Sequence, residues 1–250
     1  MEANYIGRNR QFFDTIDSTN NYASSQAGKT GIPEGTLVWA AYQSAGRGQA
    51  GNIWESRPGE NLTFSLILYP RFLAPERQFL ISETVSLAIA DFLALYIDDV
   101  AIKWPNDLFA AGGKIGGILI EHAVVGNILA NTVAGIGVNL NQTKFGRDVT
   151  GAVSLKQITG GNFEPESCLD LLCTFLEKRY DCLKKGSFEK IETAYLSKLL
   201  GKDSLNLYRD PSGTFPARIK RIEPSGVMVL ETEDGEEREY GFREVELLET

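Results

Sequence analysis

Four short stretches of this 250-residue chain, three of them rich in glycine, gather charged or amide side chains that could hold a ligand at close range. The first is Gly46-Arg47-Gly48-Gln49-Ala50-Gly51-Asn52-Ile53-Trp54. Glycines let a backbone approach a ligand and point its amides inward. Arg47 adds a planar fork of donors for a phosphate or carboxylate, and Trp54 an aromatic face for a base. The second, Lys103-Trp104-Pro105-Asn106-Asp107, places a cation, an amide and a carboxylate within five residues, with Pro105 holding Trp104 in extended geometry. The third, Gly112-Gly113-Lys114-Ile115-Gly116-Gly117-Ile118-Leu119-Ile120-Glu121, sets one lysine between two glycine pairs at the start of an apolar strand, which favours backbone approach to a ligand. The fourth, Gly135-Ile136-Gly137-Val138-Asn139-Leu140-Asn141, ends a strand in small residues and two amides.

Each stretch alone leaves a plainer reading open: a surface loop with a stray arginine, a charged strand end over a buried tryptophan, a hairpin with a surface lysine, or glycines that relieve packing. The first contains G-x-G-x-x-G, but a dinucleotide turn opens directly into a helix. Here Gly51 leads into Asn52, Trp54, Pro58 and Gly59, and the next strand ends at Tyr69-Pro70 without the expected acidic residue. No Gly-Lys-Ser/Thr follows the glycines, so it is not a P-loop either.

The elements that must position these residues follow from periodicity. Ser18-Thr19-Asn20 reads as a helix N-cap region. Strands are expected over Thr36–Gln43, Asn61–Leu68, Val100–Lys103, Lys114–Val124 and Ile128–Val138, the last two joined at Gly126-Asn127. A helix opens at Pro75 and runs to about Tyr96, and two more cover Pro165–Lys185 and Phe188–Leu200. From about Lys202 the texture changes to short strands separated by turns at Pro211-Ser212-Gly213, Pro224-Ser225-Gly226 and Asp234-Gly235, which suggests a small barrel with a boundary near Gly201.

Composition narrows the chemistry. A net charge of -8 argues against a nucleic-acid partner, and no apolar run is long enough for a transmembrane helix. The N-terminus is no signal peptide, and Cys168, Cys173 and Cys182 lack metal-ligand spacing; both point to a cytoplasmic protein with reduced thiols. The single histidine, His122, reads as structural and leaves little room for His-based catalysis or a His-rich metal site.

In their order along the chain, Ser18-Thr19-Asn20, Gln43 to Trp54, Lys103 to Asp107, Lys114 to Glu121 and Gly135 to Asn139 resemble the motif set of biotin–protein ligases. The resemblance runs from about Phe12 to Ser154, and the expected terminal barrel fits the family's C-terminal domain. It implies an α+β fold with a mixed or antiparallel central sheet and flanking helices over residues 1–201, then a small SH3-like β-barrel over 202–250.

The resemblance also implies the activity: biotin is activated with ATP to biotinyl-5′-AMP and passed to a lysine of a biotin carboxyl carrier protein or domain. Biotin would meet Ser18, Thr19, Asn20, Gln43, Gly46, Arg47, Gly48, Lys114, Gly117 and Gly135; ATP would meet Arg47, Gln49, Trp54, Lys103, Asn106, Lys114 and Asn139. Lys114, Arg47, Lys103 and Asp107 would carry the chemistry, with Mg²⁺ arriving with ATP and no dedicated metal cage. Two departures from the family pattern stand out. Gln49, Ala50 and Asn52 occupy positions that are basic in many members, and only about a dozen residues precede Ser18, which implies a stand-alone form without a DNA-binding domain. Membrane association is not expected, and a homodimer is left open. A lipoate or octanoate ligase of the same fold, or a non-catalytic biotin-binding regulator, is the alternative.

Overall fold

The computed structural model describes residues 5–146 and 151–248. Seven strands form one sheet: β1 (Arg10–Ile16), β2 (Leu37–Gln43), β3 (Leu62–Leu68), β4 (Val100–Lys103), β5 (Asp107–Ala110), β6 (Gly113–Val125) and β7 (Ile128–Val138). Their order across the sheet is β1-β2-β3-β7-β6-β5-β4; β1 and β2 run parallel and every other pair is antiparallel. This is the mixed sheet with flanking helices expected from the sequence.

Both faces of the sheet are covered, so β3 is buried along its whole length. Its side chains alternate between two clusters, as a pleated strand requires. Ile67 meets Val38, Val133 and the alanines Ala23 and Ala27 of helix α1 (Thr19–Ala27). Leu62, Phe64, Leu66 and Leu68 point into the main core, which also takes in α2 (Phe79–Leu93), α4 (Pro165–Lys184) and α5 (Phe188–Lys198). α2 is apolar nearly all round because it lies between sheet and helices. α4 is amphipathic and buries Leu169, Leu172, Cys173, Leu176, Tyr180 and Leu183.

Three elements were not expected from the sequence, and a fourth has other bounds. β1 alternates exposed and half-buried residues at the sheet edge, so its apolar signal is weak, and its parallel partner is distant in sequence. β5 has four residues, too few to show a period. α3 (Leu155–Thr159) is a single turn held by a capping box between Ser154 and Gln157. The helix expected from Pro75 divides into a 3₁₀ turn at Pro75–Arg77 and α2, which stops at Leu93 rather than near Tyr96.

Beyond Gly201 a second sheet forms from β8 (Asn206–Asp210), β9 (Gly213–Ile222), β10 (Met228–Thr232), β11 (Glu237–Tyr240) and β12 (Glu246–Leu247), in the order β11-β10-β9-β8-β12 and antiparallel throughout. It joins the first sheet and its helices through aromatic contacts: Phe242 lies 5.9 Å from Phe79 and 5.4 Å from Trp104, ring centre to ring centre. Trp104 Nε1 donates to the Gly226 carbonyl at 3.0 Å. Gly226 has a φ of 94°, and a Cβ there would stand 2.7 Å from Phe79, so a glycine is needed on both counts. On either side of the Asp234-Gly235 turn, Glu231 and Glu237 pair with Arg218, Lys220 and Arg221 across the strands.

Candidate active site

One cleft of about 230 Å³ gathers thirteen of the residues singled out from the sequence: Ser18, Thr19, Asn20, Gln43, Arg47, Gly48, Gln49, Trp54, Asn106, Asp107, Lys114, Gly117 and Gly135. They come from the start of α1, the end of β2, the loop after it, the β4–β5 turn, β6 and β7.

At one end the floor is polar and already hydrogen-bonded. Ser18 caps α1, its hydroxyl accepting from the Asn21 amide, and this sets Thr19 and Asn20 at the first helical turn. Thr19 donates to Gln43 Oε1 from its backbone amide at 2.7 Å and from its hydroxyl at 3.0 Å. The Ser65 hydroxyl on β3 donates to Asn20 Oδ1 at 2.7 Å, and Asn20 Nδ2 donates to Glu121 Oε2 at 2.9 Å. Gly135 gives Asn20 its room, since a Cβ there would lie 2.3 Å from Asn20 Oδ1.

The loop after β2 is a small folded hairpin. Trp54 N donates to Gly46 O at 3.0 Å and Gly48 N to Asn52 O at 2.7 Å, around a 3₁₀ turn at Gln49–Gly51. Gly46 does not line the cleft, but a Cβ there would lie 2.4 Å from the Trp54 carbonyl, so glycine permits the hairpin to close. The hairpin carries Arg47 to Glu121 and Asn21: Nη2 donates to Glu121 Oε1 at 2.7 Å, and Nη1 to Glu121 Oε2 at 3.2 Å and to Asn21 Oδ1 at 2.8 Å.

The second cation comes from β6. Lys114 is pinned by its backbone, donating to Gly151 O at 2.7 Å and accepting from Val153 N at 3.0 Å. Its ammonium pairs with Asp107 Oδ1 at 2.7 Å. Gly117 sits opposite Asp107 in the ladder, and an added Cβ would come within 3.4 Å of both charged atoms. Asn106 is held by its Nδ2, which donates to the Ile118 carbonyl at 2.6 Å.

The opposite end differs in kind. The Trp54 indole lies directly on Gly137, where a Cβ would be 2.3 Å from the ring, and its Nε1 is buried without a partner. Two residues on, Asn139 donates from Nδ2 to Val153 O at 3.0 Å, while its Oδ1 is buried and unpartnered. Asn139 lies behind the cleft wall, not on it.

Lys103 does not join this group. Its ammonium lies 5.2 Å from the centre of the Phe109 ring, and the residue lines a neighbouring cavity against the C-terminal sheet. His122 is placed as a structural residue: Nδ1 lies 2.8 Å from Thr132 Oγ1 on the paired strand, and burial pushes its pKa down to about 4. Two lining residues fall outside the stretches singled out from the sequence, Phe64 and, from the C-terminal sheet, Arg243, whose Nη2 donates to Gln49 O at 3.4 Å.

Comparison with known proteins fits this geometry. Residues 12–139, about half of the chain, match the Biotin/lipoate A/B protein ligase family. The chain belongs to this family. It is 31% identical to the bifunctional ligase/repressor BirA of Bacillus subtilis over 248 residues, covering 96% of this chain and 74% of that protein. It is 33% identical to a biotin–[acetyl-CoA-carboxylase] ligase of Paracoccus denitrificans, covering 86% of this chain and 90% of that protein. In fold, this family member resembles the biotin protein ligase of Aquifex aeolicus in complex with biotin and ATP, with a TM-score of 0.80, 24% identity, and coverage of 97% and 100%.

Proposed function

We propose that this chain is an ATP-dependent biotin–protein ligase that makes biotinyl-5′-AMP and transfers biotin to a lysine of a carboxylase carrier domain. The observation that carries the reading is the convergence of two cations, Arg47 and Lys114, on one cleft with a hydroxyl-and-amide floor at one end and an indole with an unpartnered N–H at the other. One relative is named a biotin–[acetyl-CoA-carboxylase] ligase and another a bifunctional ligase/repressor, in support of the same activity here.

The ureido ring of biotin carries both donors and acceptors, and Ser18, Thr19, Asn20 and Gln43 offer both. Biotin's carboxylate must attack an α-phosphate that is also anionic. Arg47 and Lys114 screen that repulsion and stabilise charge on the transferring phosphorus. The new bond joins a carboxylate oxygen to the α-phosphorus, and the bond to the bridging oxygen breaks to release pyrophosphate. Trp54 supplies a face and a donor for the adenine, while Asn139 stands behind the cleft wall. Asn106 and Gln49 stand beside the phosphates; Lys103, set back from the cleft, reaches them only by turning from Phe109. Mg²⁺ would enter with ATP, held by its phosphates.

In the second step the acceptor amine attacks the acyl carbon, AMP leaves, and the amine loses a proton. Asp107 is the cleft carboxylate that meets the incoming lysine. We assign residues 1–201 to the catalytic domain and 202–250 to a small second domain, the latter lending Arg243 to the cleft rim. Burial pushes the Cys168 and Cys173 thiols up to about 11, in keeping with inert reduced thiols and a cytoplasmic setting.

The test is incubation with biotin, Mg-ATP and a biotin carboxyl carrier domain, followed by intact mass of that domain. The mass is expected to rise by one biotinyl group. An unmodified domain, with lipoate transferred to a lipoyl domain instead, would replace this reading with the aliphatic-acid ligase.

A further inference from the structure

Arg47 has two donor edges, and the protein consumes one of them. A guanidinium carries five N–H groups in a fixed fork. Three are taken: Nη1 gives one to Glu121 Oε2 at 3.2 Å and one to Asn21 Oδ1 at 2.8 Å, and Nη2 gives one to Glu121 Oε1 at 2.7 Å. Nε–H and the second Nη2–H have no protein partner among the described residues, and together they form the other edge of the fork. That edge matches a carboxylate or phosphate in bidentate geometry.

Glu121 is tied on its other side as well. Its Oε2 accepts from Asn20 Nδ2 at 2.9 Å, and Asn20 accepts in turn from Ser65. The Ser65–Asn20–Glu121–Arg47–Asn21 chain therefore runs unbroken from the buried strand β3 to the loop hairpin.

We propose that Glu121 is a positioning residue that orients Arg47, using up its end-on edge so that the Nε–Nη2 edge is presented to the carboxylate of biotin and the phosphate of the adenylate. A guanidinium on a glycine-rich hairpin has many rotamers, and fixing it before the ligand arrives removes an ordering cost from binding. The inference rests on the ligase reading above.

The experiment measures biotin dissociation constants by titration calorimetry for wild type, Glu121→Ala, Glu121→Gln, Arg47→Ala and the Glu121→Ala/Arg47→Ala double variant. In the Arg47 background the Glu121 change is expected to cost nothing further, because Glu121 acts through Arg47. Alone, Glu121→Ala is expected to weaken biotin binding by about tenfold, and Glu121→Gln, which keeps the acceptor for Asn20 but not the two-oxygen clamp, nearly as much. Additive effects in the double variant, wild-type affinity in Glu121→Gln, or tighter biotin binding in either single variant would each overturn the assignment; the last would mark Glu121 as a competing anion. A wild-type protein that leaves the carrier domain unmodified would sink the ligase reading, whereas an active wild type with additive variants sinks only this inference.

Discussion

The two ends of the cleft are built on opposite principles. At the Thr19–Asn20 end, Thr19, Gln43, Asn20, Ser65, Glu121 and Arg47 are joined to one another by hydrogen bonds. At the Trp54 end, a buried indole N–H and a buried amide oxygen have none. A satisfied network holds its shape and discriminates by geometry; an unsatisfied pair costs free energy until something fills it. Orphaned atoms alone do not mark a ligand, however. Glu83, Thr84 and Ser86 on α2 also hold unpartnered atoms, yet none of them lines the cleft. What separates Trp54 is that its residue also lines the cleft beside two cations.

The largest expected effect breaks both ends at once. Lys114→Ala removes the cation beside Asp107 and should lower adenylate formation by about 10²–10³-fold in a pyrophosphate-release assay. Near-wild-type turnover in that variant would remove Lys114 from the centre of the chemistry. Next comes Gly135→Ala, whose Cβ collides with Asn20 in the satisfied network. Its KM for biotin should rise by about tenfold or more while its KM for ATP stays within twofold, as steady-state kinetics would show. An equal rise in both would mean the ends are not separable.

A smaller effect probes the unsatisfied end. Trp54→Phe keeps an aromatic ring on Gly137 but deletes the lone N–H. The KM for ATP should rise several-fold, consistent with about 1 kcal/mol for one hydrogen bond, with biotin binding unchanged. An unaltered KM for ATP would show that the N–H meets no part of the nucleotide.

The smallest effect concerns the orphan outside the cleft. Burial, followed by the charge of Glu192, pushes the Glu83 carboxyl up to about 8 from an ordinary 4.5. The folded state thus holds a proton that the unfolded state has lost between those values. The stability linked to this group is fully present below about 4.5 and is lost as pH rises through 8. Glu83→Gln should therefore flatten the fall of Tm between pH 6 and 9, and identical slopes for variant and wild type would place Glu83 as a charged residue.

Much of this site was legible because its signals are local. Lys114 stands out as one cation between glycine pairs, and Arg47 as one cation in a glycine loop. Glu121 closes the third stretch, but its role was not legible, since a carboxylate on a strand looks like any exposed residue until Arg47 is brought across to it, 74 residues away in sequence. Arg243 was hidden for the same reason, reaching the loop from 194 residues away. Lys103 shows the opposite case, a motif residue for which the resemblance implied ATP contact but whose side chain lies over Phe109. In the fold, long strands with clear alternation were readable, whereas β1 and β5 depend on partners and turns that no short window contains.

The central claim is that Arg47 and Lys114 join a carboxylate to the α-phosphate of ATP. Exchange of labelled pyrophosphate into ATP tests it most directly, since the label returns only through a reversible acyl adenylate. The account predicts exchange that requires biotin, proceeds without any carrier domain and disappears in Lys114→Ala. Exchange that is absent with biotin, or that persists in Lys114→Ala, would contradict it.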